Sequence, residues 1–277
     1  MSVEIGRTNS LRIVKEVDFG LYLDGGEHGE ILLPKRYVPE NYKIDEVIDV
    51  FVYLDSEDRI ITTTEKPFTE VDEFAYLEVV AVNSVGAFLD WGLMKDLFVP
   101  FREQKVSISR GEWHVVFVYF DDESQRIAAS TRLDKFTGNV IPEYLEGEEV
   151  DLLIVRKTDL GYQAVVDDLH LGLIYENEVF RELQIGERTK GFIKKMREDD
   201  KIDISLQKLG FWNIGGVAES IMNILQENGG SMPVSDKSSP EIISKYFQIS
   251  KKSFKKAIGT LYKKKLITIS KTEIKIV

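Results

Sequence analysis

Val85-Gly86-Ala87-Phe88-Leu89-Asp90-Trp91-Gly92, followed by Leu97-Phe98-Val99-Pro100 and then by Arg126-Ile127-Ala128-Ala129, is the stretch on which the reading of this 277-residue chain turns. A glycine sits early in a short apolar strand. A second apolar patch follows about thirteen residues later, and a basic residue opens another short strand about forty residues after the glycine. The same landmarks recur on both sides. Phe19-Gly20-Leu21-Tyr22-Leu23, Ile31-Leu32-Leu33-Pro34 and Arg59-Ile60-Ile61-Thr62 make one set. Leu160-Gly161-Tyr162-Gln163-Ala164, Gly172-Leu173-Ile174-Tyr175 and Lys201-Ile202-Asp203-Ile204 make the other. Three landmarks at matching offsets in three places indicate an internal repeat.

Between the landmarks run short β-rich stretches such as Val47-Ile48-Asp49-Val50-Phe51-Val52-Tyr53 and Trp113-His114-Val115-Val116-Phe117-Val118-Tyr119. Each repeat therefore reads as five strands, and five short strands hide their edges by closing into a small barrel. The early glycine is expected to mark a bend or bulge at a barrel corner. The organisation read from the chain is mostly β, then α+β: three tandem five-stranded barrels over 1–66, 67–139 and a divergent 140–213, then a helical domain over 214–277.

That last domain begins after Lys208-Leu209-Gly210-Phe211-Trp212-Asn213-Ile214-Gly215-Gly216, which reads as a linker. Val217, Ile221, Ile224 and Leu225 share one helical face, stopped by Asn228-Gly229-Gly230. Ser239 caps a second helix with Pro240 at its first position, and Ser250 caps a third in which Phe254, Ile258 and Leu261 form the buried stripe. Leu266–Ile269 and Glu273–Val277 alternate around a turn, so three helices plus a hairpin predict a winged helix-turn-helix. Its third helix is the one able to enter a groove. Lys251, Lys252, Lys255 and Lys256 flank the buried stripe and Lys263, Lys264 and Lys265 follow it, which makes these seven the candidate nucleic-acid contacts of the domain. The helix has no Arg, Asn or Gln, the residue types suited to bidentate reading of base edges. Phosphate attraction is favoured over sequence-specific readout.

Charge follows the same division. The chain carries 47 acids and 36 bases, yet residues 214–277 carry 5 acids and 11 bases, so a basic domain trails an acidic body. A basic block suits a polyanionic partner. There is no cysteine, which excludes thiol nucleophiles, disulfides and Cys-ligated metals. His28, His114 and His170 are too far apart in sequence to form a short-spaced ligand pair. No apolar run approaches a membrane span and no signal-peptide core is visible, so a soluble, cytoplasmic protein with no membrane partner is expected. Three barrels and a winged helix leave no room for a catalytic domain. P-loop, GxSxG, HExxH and dinucleotide fingerprints are all missing, and the acidic runs Asp121-Asp122-Glu123 and Glu198-Asp199-Asp200 fall in predicted turns. A non-enzyme without cofactor or metal is expected.

The repeat, glycine-small-aromatic-Leu-Asp-Trp-Gly followed by Leu-Phe-Val-Pro and a basic residue opening the last strand, resembles the RNA-binding repeat of the large ribosomal protein S-one, a five-stranded OB-fold barrel. Three such barrels with a C-terminal winged helix resemble the bacterial conserved virulence factor B family of RNA-binding regulators. Alternation sends Leu21, Leu23, Ala87 and Leu89 inward and Tyr22, Asp24, Phe88 and Asp90 outward. Outward aromatics are platforms for bases. The resemblance implies that role for Tyr22 and Phe88, with Phe19 as a second platform, whereas Phe98, Phe117 and Tyr119 are expected in the core. Because Val85 and Leu160 replace Phe19, and Gln163 replaces Phe88, stacking capacity is expected to fall from the first repeat to the third.

The family often has histidine where this chain has Pro34, Pro100 and Tyr175; only Tyr175 keeps a stacking ring. The family also pairs an acid with a base four residues on, matched here by Asp55 with Arg59 and Asp122 with Arg126. Arg197 with Lys201 makes the third such site more basic. Arg59, Arg126, Arg197 and Lys201 are candidate phosphate contacts, joined by the basic pair Lys35 and Arg36. The function implied is a regulator that binds single-stranded RNA through its barrels and basic winged helix, in post-transcriptional or virulence gene control. Two other readings stay open: an adaptor docking on a ribosomal or RNA polymerase protein, and a duplex-DNA-binding regulator.

Overall fold

A computed structural model of the chain describes residues 2–179, 181–207 and 214–277. Two compact units, Met1–Thr137 and Gly138–Val277, divide it. In the first unit, β1 (Thr8–Val17), β2 (Gly20–Asp24), β3 (Glu30–Pro34), β4 (Val47–Leu54) and β5 (Ile60–Thr63) close a barrel. A second barrel is closed by β6 (Phe74–Val82), β7 (Gly86–Leu89), β8 (Leu97–Pro100), β9 (Trp113–Asp121) and β10 (Arg126–Ser130). The second unit holds a third, made of β11 (Glu149–Thr158), β12 (Gly161–Val166), β13 (His170–Tyr175), β14 (Arg188–Met196) and β15 (Ile202–Ser205). All three share one topology: the first three strands meander antiparallel, and the fifth closes the barrel parallel to the third and antiparallel to the fourth. Alternation fills each interior, with Ile13, Leu23 and Leu33 fully buried in the first barrel, Val79, Leu89 and Val99 in the second and Ile154, Ala164 and Ile174 in the third.

The repeat glycine acts differently from the expectation. The bulge lies in the first strand of each barrel, at Ile13/Lys15, Val79/Ala81 and Ile154/Arg156, and not at the glycine. The glycine opens the second strand against the backbone of the third. A Cβ on Gly20, Gly86 or Gly161 would overlap the carbonyl oxygen of Leu33, Val99 or Ile174 respectively. Backbone cannot move aside as a side-chain end can, so only glycine permits this approach. The third strand then ends at Pro34, Pro100 or Tyr175, each leading into a one-turn 3-10 helix with φ of −59°, −60° and −67°. That φ is the one proline imposes, which accounts for proline at two of the three positions. The Gly25–Gly29 segment is a hydrogen-bonded turn in which Gly25 N–H donates to Gly29 O at 2.7 Å and His28 N–H to Gly25 O at 3.1 Å.

Within the first unit the two barrels share a core. Val50, Phe51, Val52, Tyr53 and Leu54 are all buried, because one face of β4 lines its own barrel and the other is covered by the second. Phe51 meets the edge of Trp91 with ring centroids 5.6 Å apart at 81°. Arg7 pairs with Asp72 at 2.7 Å across the same junction.

In the second unit the winged helix contains α1 (Ile214–Glu227), α2 (Pro240–Phe247) and α3 (Lys251–Lys263), with β16 (Ser231–Met232), β17 (Ile267–Ile269) and β18 (Ile274–Ile276) in the order β16-β18-β17. The strand β16 joins the expected hairpin. Ser239 and Ser250 accept the N–H of Ile242 and Ser253, as their cap positions require. Val217, Ile221, Leu225, Phe254, Ile258 and Leu261 meet in one core. The linker reading for Lys208–Gly216 falls largely on 208–213, outside the described residues; α1 already starts at Ile214. No helix among the described residues is long and apolar enough to cross a membrane.

Gly86→Ala and Gly161→Ala are expected to destabilise the chain by about 2 kcal/mol or more through backbone overlap. The same exchange at Gly259 in α3, where a Cβ would meet nothing within 4 Å, is expected to stabilise by about 1 kcal/mol. Thermal denaturation followed by circular dichroism reads both; an unchanged midpoint for Gly86→Ala and Gly161→Ala contradicts the close-approach explanation.

Candidate nucleic-acid interface

Phe88 on β7 and Phe98 on β8 are direct register partners on the outer face of the second barrel. Both are half-buried, with ring centroids 5.3 Å apart and planes tilted by 40°. Leu97 and Val99 on either side of Phe98 point inward, which corrects the core placement expected for Phe98. The alternation Leu97-Phe98-Val99 already contained that signal. Phe117 and Tyr119 are corrected likewise. Val116 and Val118 enter the core, while Phe117 and Tyr119 lie outside against the Phe136 ring, at centroid distances of 4.4 and 5.2 Å. Burial and the neighbouring carboxylates push the Tyr119 hydroxyl up to about 12.

The Phe88–Phe98 pair lines a cavity of about 460 Å³ at the junction of the first two barrels. Val85 and Met94, 56% and 66% exposed, form an apolar rim, and Trp91 backs the pocket. Its indole N–H donates to Lys95 O at 2.6 Å, which fixes the turn between β7 and β8. Arg126, Lys95, Asp58, Asp96 and Ser56 supply the pocket's polar lining. Arg126 does not pair with Asp122 as expected. It forms a short ion pair with Asp58, from the turn between β4 and β5 of the first barrel. The fold brings that turn to the mouth of the second barrel, a neighbourhood that four-residue spacing cannot reveal. The hydrogen bond from Arg126 holds the Asp58 carboxyl below the usual aspartate range. Lys95 Nζ donates to the Asp55 carbonyl at 2.6 Å and lies 3.8 Å from Asp58 Oδ1; its burial lowers the ammonium pKa.

Equivalent faces of the other barrels are partly occupied from within. Tyr22, Phe88 and Gln163 pair across the first hairpin with Lys15, Ala81 and Arg156. Lys15 lies 5.0 Å over the Tyr22 ring while paired with Glu30 at 2.5 Å, and Arg156 Nε donates to Gln163 at 2.8 Å. Ala81 leaves Phe88 uncovered by such a cation. Phe19, 56% exposed, stands edge-on to Tyr22 at 6.2 Å, so the two platforms of the first barrel do meet. Lys35 is exposed, whereas Arg36 stacks on the Tyr37 ring at 4.6 Å. Arg59 pairs with Asp55 at 2.7 Å, as expected, and with Glu57 at 3.0 Å.

In the third barrel Tyr175 gathers Lys194 and Arg197 around its ring at 5.9 and 5.8 Å. Arg197 also pairs with Asp203 at 2.8 Å and Lys201 with Asp199 at 2.5 Å, so the extra basicity expected there is offset locally. In the winged helix the six lysines 252, 255, 256, 263, 264 and 265 are exposed and Lys251 is half-buried. None of the seven is salt-bridged among the described residues. Among the described residues no three His, Cys, Asp or Glu side chains gather in a group that could hold a metal ion. Sequence spacing does not single out Lys15, Asp58, Trp91, Met94 or Lys95, because their places at these faces come from cross-strand register and from the contact between barrels.

Two family models match parts of the chain. Residues 5–65 match the S1 domain family and residues 219–276 the CvfB-like winged helix domain. The chain is 28% identical to the Bacillus subtilis protein YitL over 95% of its own length and 90% of the relative's. It is 27% identical to conserved virulence factor B of Staphylococcus epidermidis, covering 91% of this chain and 88% of that one. A crystal structure of a multidomain protein with nucleic acid binding domains from Streptococcus pneumoniae aligns with 99% of this chain and 98% of its own, at 23% identity and a TM-score of 0.43.

Because its pKa is depressed in the folded chain, Asp58 contributes stability above the usual aspartate range and loses it as the pH falls through the lowered value. Carboxyl-carbon NMR is expected to place the Asp58 midpoint below that of an unstructured aspartate, and Arg126→Met to move it up. A midpoint unmoved by Arg126→Met contradicts the ion pair.

Proposed function

From the kinship of this chain with the conserved virulence factor B proteins, in tandem barrels closed by a CvfB-like winged helix, we propose that it is an RNA-binding regulatory protein. It holds single-stranded RNA on its barrel faces, with the α3 lysines adding phosphate attraction, and acts in post-transcriptional or virulence gene regulation. S1-type barrels and winged helices are both folds that bind nucleic acid. The observation that carries the reading is the Phe88–Phe98 pair in an open cavity with Arg126 and Lys95 at its lip. A base stacks on the first, and a phosphate is met by the second.

The charge pattern supports single strands over duplex. Nearly all the candidate barrel cations are paired or ring-stacked, so the acidic body offers few free charges for the dense phosphate array of a duplex. Stacking does not require such an array. The unpaired lysines of α3 supply a non-specific attraction that strengthens a strand already engaged by the barrels, provided the sites are spanned together. On this reading the second barrel ranks first among the three, since Ala81 leaves its platform uncovered.

Fluorescence anisotropy of the full chain with labelled single-stranded RNA, single-stranded DNA and duplex DNA, each across a salt series, is expected to show RNA bound most tightly and with a modest salt slope. Tyr22→Ala combined with Phe88→Ala is expected to cost about 1–3 kcal/mol of binding per lost base contact while the far-ultraviolet dichroism stays unchanged. Equal affinity of this variant and the wild type overturns the stacking assignment.

A further inference from the structure

We propose that the pocket between the first two barrels is a composite single-nucleotide site in which Asp58 of the first barrel occupies the phosphate seat of Arg126 in the second until a strand displaces it. This rests on the RNA-binding reading above and adds a residue that sets affinity. Three observations lead to it. The Arg126 guanidinium, a fork suited to a phosphate, stands at the lip of the Phe88–Phe98 cavity but is engaged by a carboxylate from the neighbouring barrel. The corresponding basic residues Arg59 and Lys201 are paired by acids of their own barrels. The Asp58–Arg126 pair is solvent-exposed, with side chains 40% and 54% accessible, so it is a weak contact that a phosphodiester can replace.

The carboxylate is held in place by its turn. Asp58 adopts a left-handed φ of 60°, a conformation aspartate tolerates, and its N–H donates to Asp55 O at 3.1 Å. The Asp55 carboxylate accepts the N–H of Glu57 and Arg59 at 2.9 and 3.0 Å. Lys95 fastens the same turn to the second barrel through the Asp55 carbonyl, and Phe51 packs on Trp91 beneath it. Releasing Arg126 therefore needs only side-chain rotation. The base then lies on Phe88 and Phe98 with its phosphate between Arg126 and Lys95. Asp58, left beside that phosphate, opposes it by charge, so the pocket binds and releases rather than captures.

The test uses the full chain and a labelled single-stranded RNA 12-mer at low salt. Asp58→Asn keeps the size and the turn but removes the charge, and is expected to tighten binding by roughly fivefold. Arg126→Met is expected to weaken binding, and Asp58→Asn in the Arg126→Met background to give no gain. Affinity that is unchanged or weaker in Asp58→Asn, or a gain that survives Arg126→Met, overturns the proposal. If Tyr22→Ala with Phe88→Ala still weakens binding in that case, the RNA-binding reading stands and only the role of Asp58 falls. A wild-type chain that binds no RNA overturns both.

Discussion

The approach of the second strand of each barrel to the backbone of its third is the constraint from which the remaining geometry follows. At Gly20, Gly86 and Gly161 a Cβ would enter the space of a main-chain carbonyl oxygen. With glycine there, the hairpin closes tightly enough for a barrel of only five short strands to seal its interior. The bulge in the first strand re-registers the same hairpin, so that Tyr22, Phe88 and Gln163 face outward opposite Lys15, Ala81 and Arg156. A packing rule about backbone contact thus sets the positions that face outward. Because the rule concerns backbone, it holds in the third barrel even though the outward side chains there have changed.

Identical scaffolds then diverge by what covers the platform. In the first barrel a lysine lies over the tyrosine, in the third an arginine is bonded to a glutamine, and in the second an alanine leaves a phenylalanine pair open. The second barrel is also the one whose face is extended by a neighbour. The covering of β4 on both sides makes the first two barrels a single packed body, and the turn after β4 is carried to the mouth of the adjoining pocket. A cavity lined from two barrels offers more walls than either outer face alone. Its polar lining nevertheless combines the cations Lys95 and Arg126 with the carboxylates Asp58 and Asp96.

Electrostatics divide the labour between the two kinds of domain. In the barrels, most arginines and lysines near the candidate faces are committed to nearby acids or rings. In α3 the lysines stand free of salt bridges among the described residues, partly because the winged-helix domain has few acids to offer them. Free surface lysines attract phosphate at a distance and without preference. Aromatic platforms act at contact and depend on an unpaired base. On the function proposed above, the two in one chain would give attraction and then selection for a single strand.

The barrel repeat, its strand count, the inward and outward faces of Leu21 to Asp24 and Ala87 to Asp90, the helix caps at Ser239 and Ser250 and the basic character of α3 were all legible in the linear order of residues. Each rests on a local rule: period-two alternation, a cap next to its helix, a glycine at a fixed offset. Phe98, Phe117 and Tyr119 take the outer face by the same alternation, since Leu97, Val99, Val116 and Val118 beside them are buried. The partner of Arg126, the covering of Tyr22 by Lys15, the burial of both faces of β4 and the cavity at the junction belong to a different class. They arise where segments distant in sequence pack together, and side chains there are chosen by neighbours that no local spacing identifies. Sequence alone determined which barrels form and which way their strands face. Only the tertiary structure decided which of those faces is open, because closure and contact between barrels bring in the charges and rings that cover the rest.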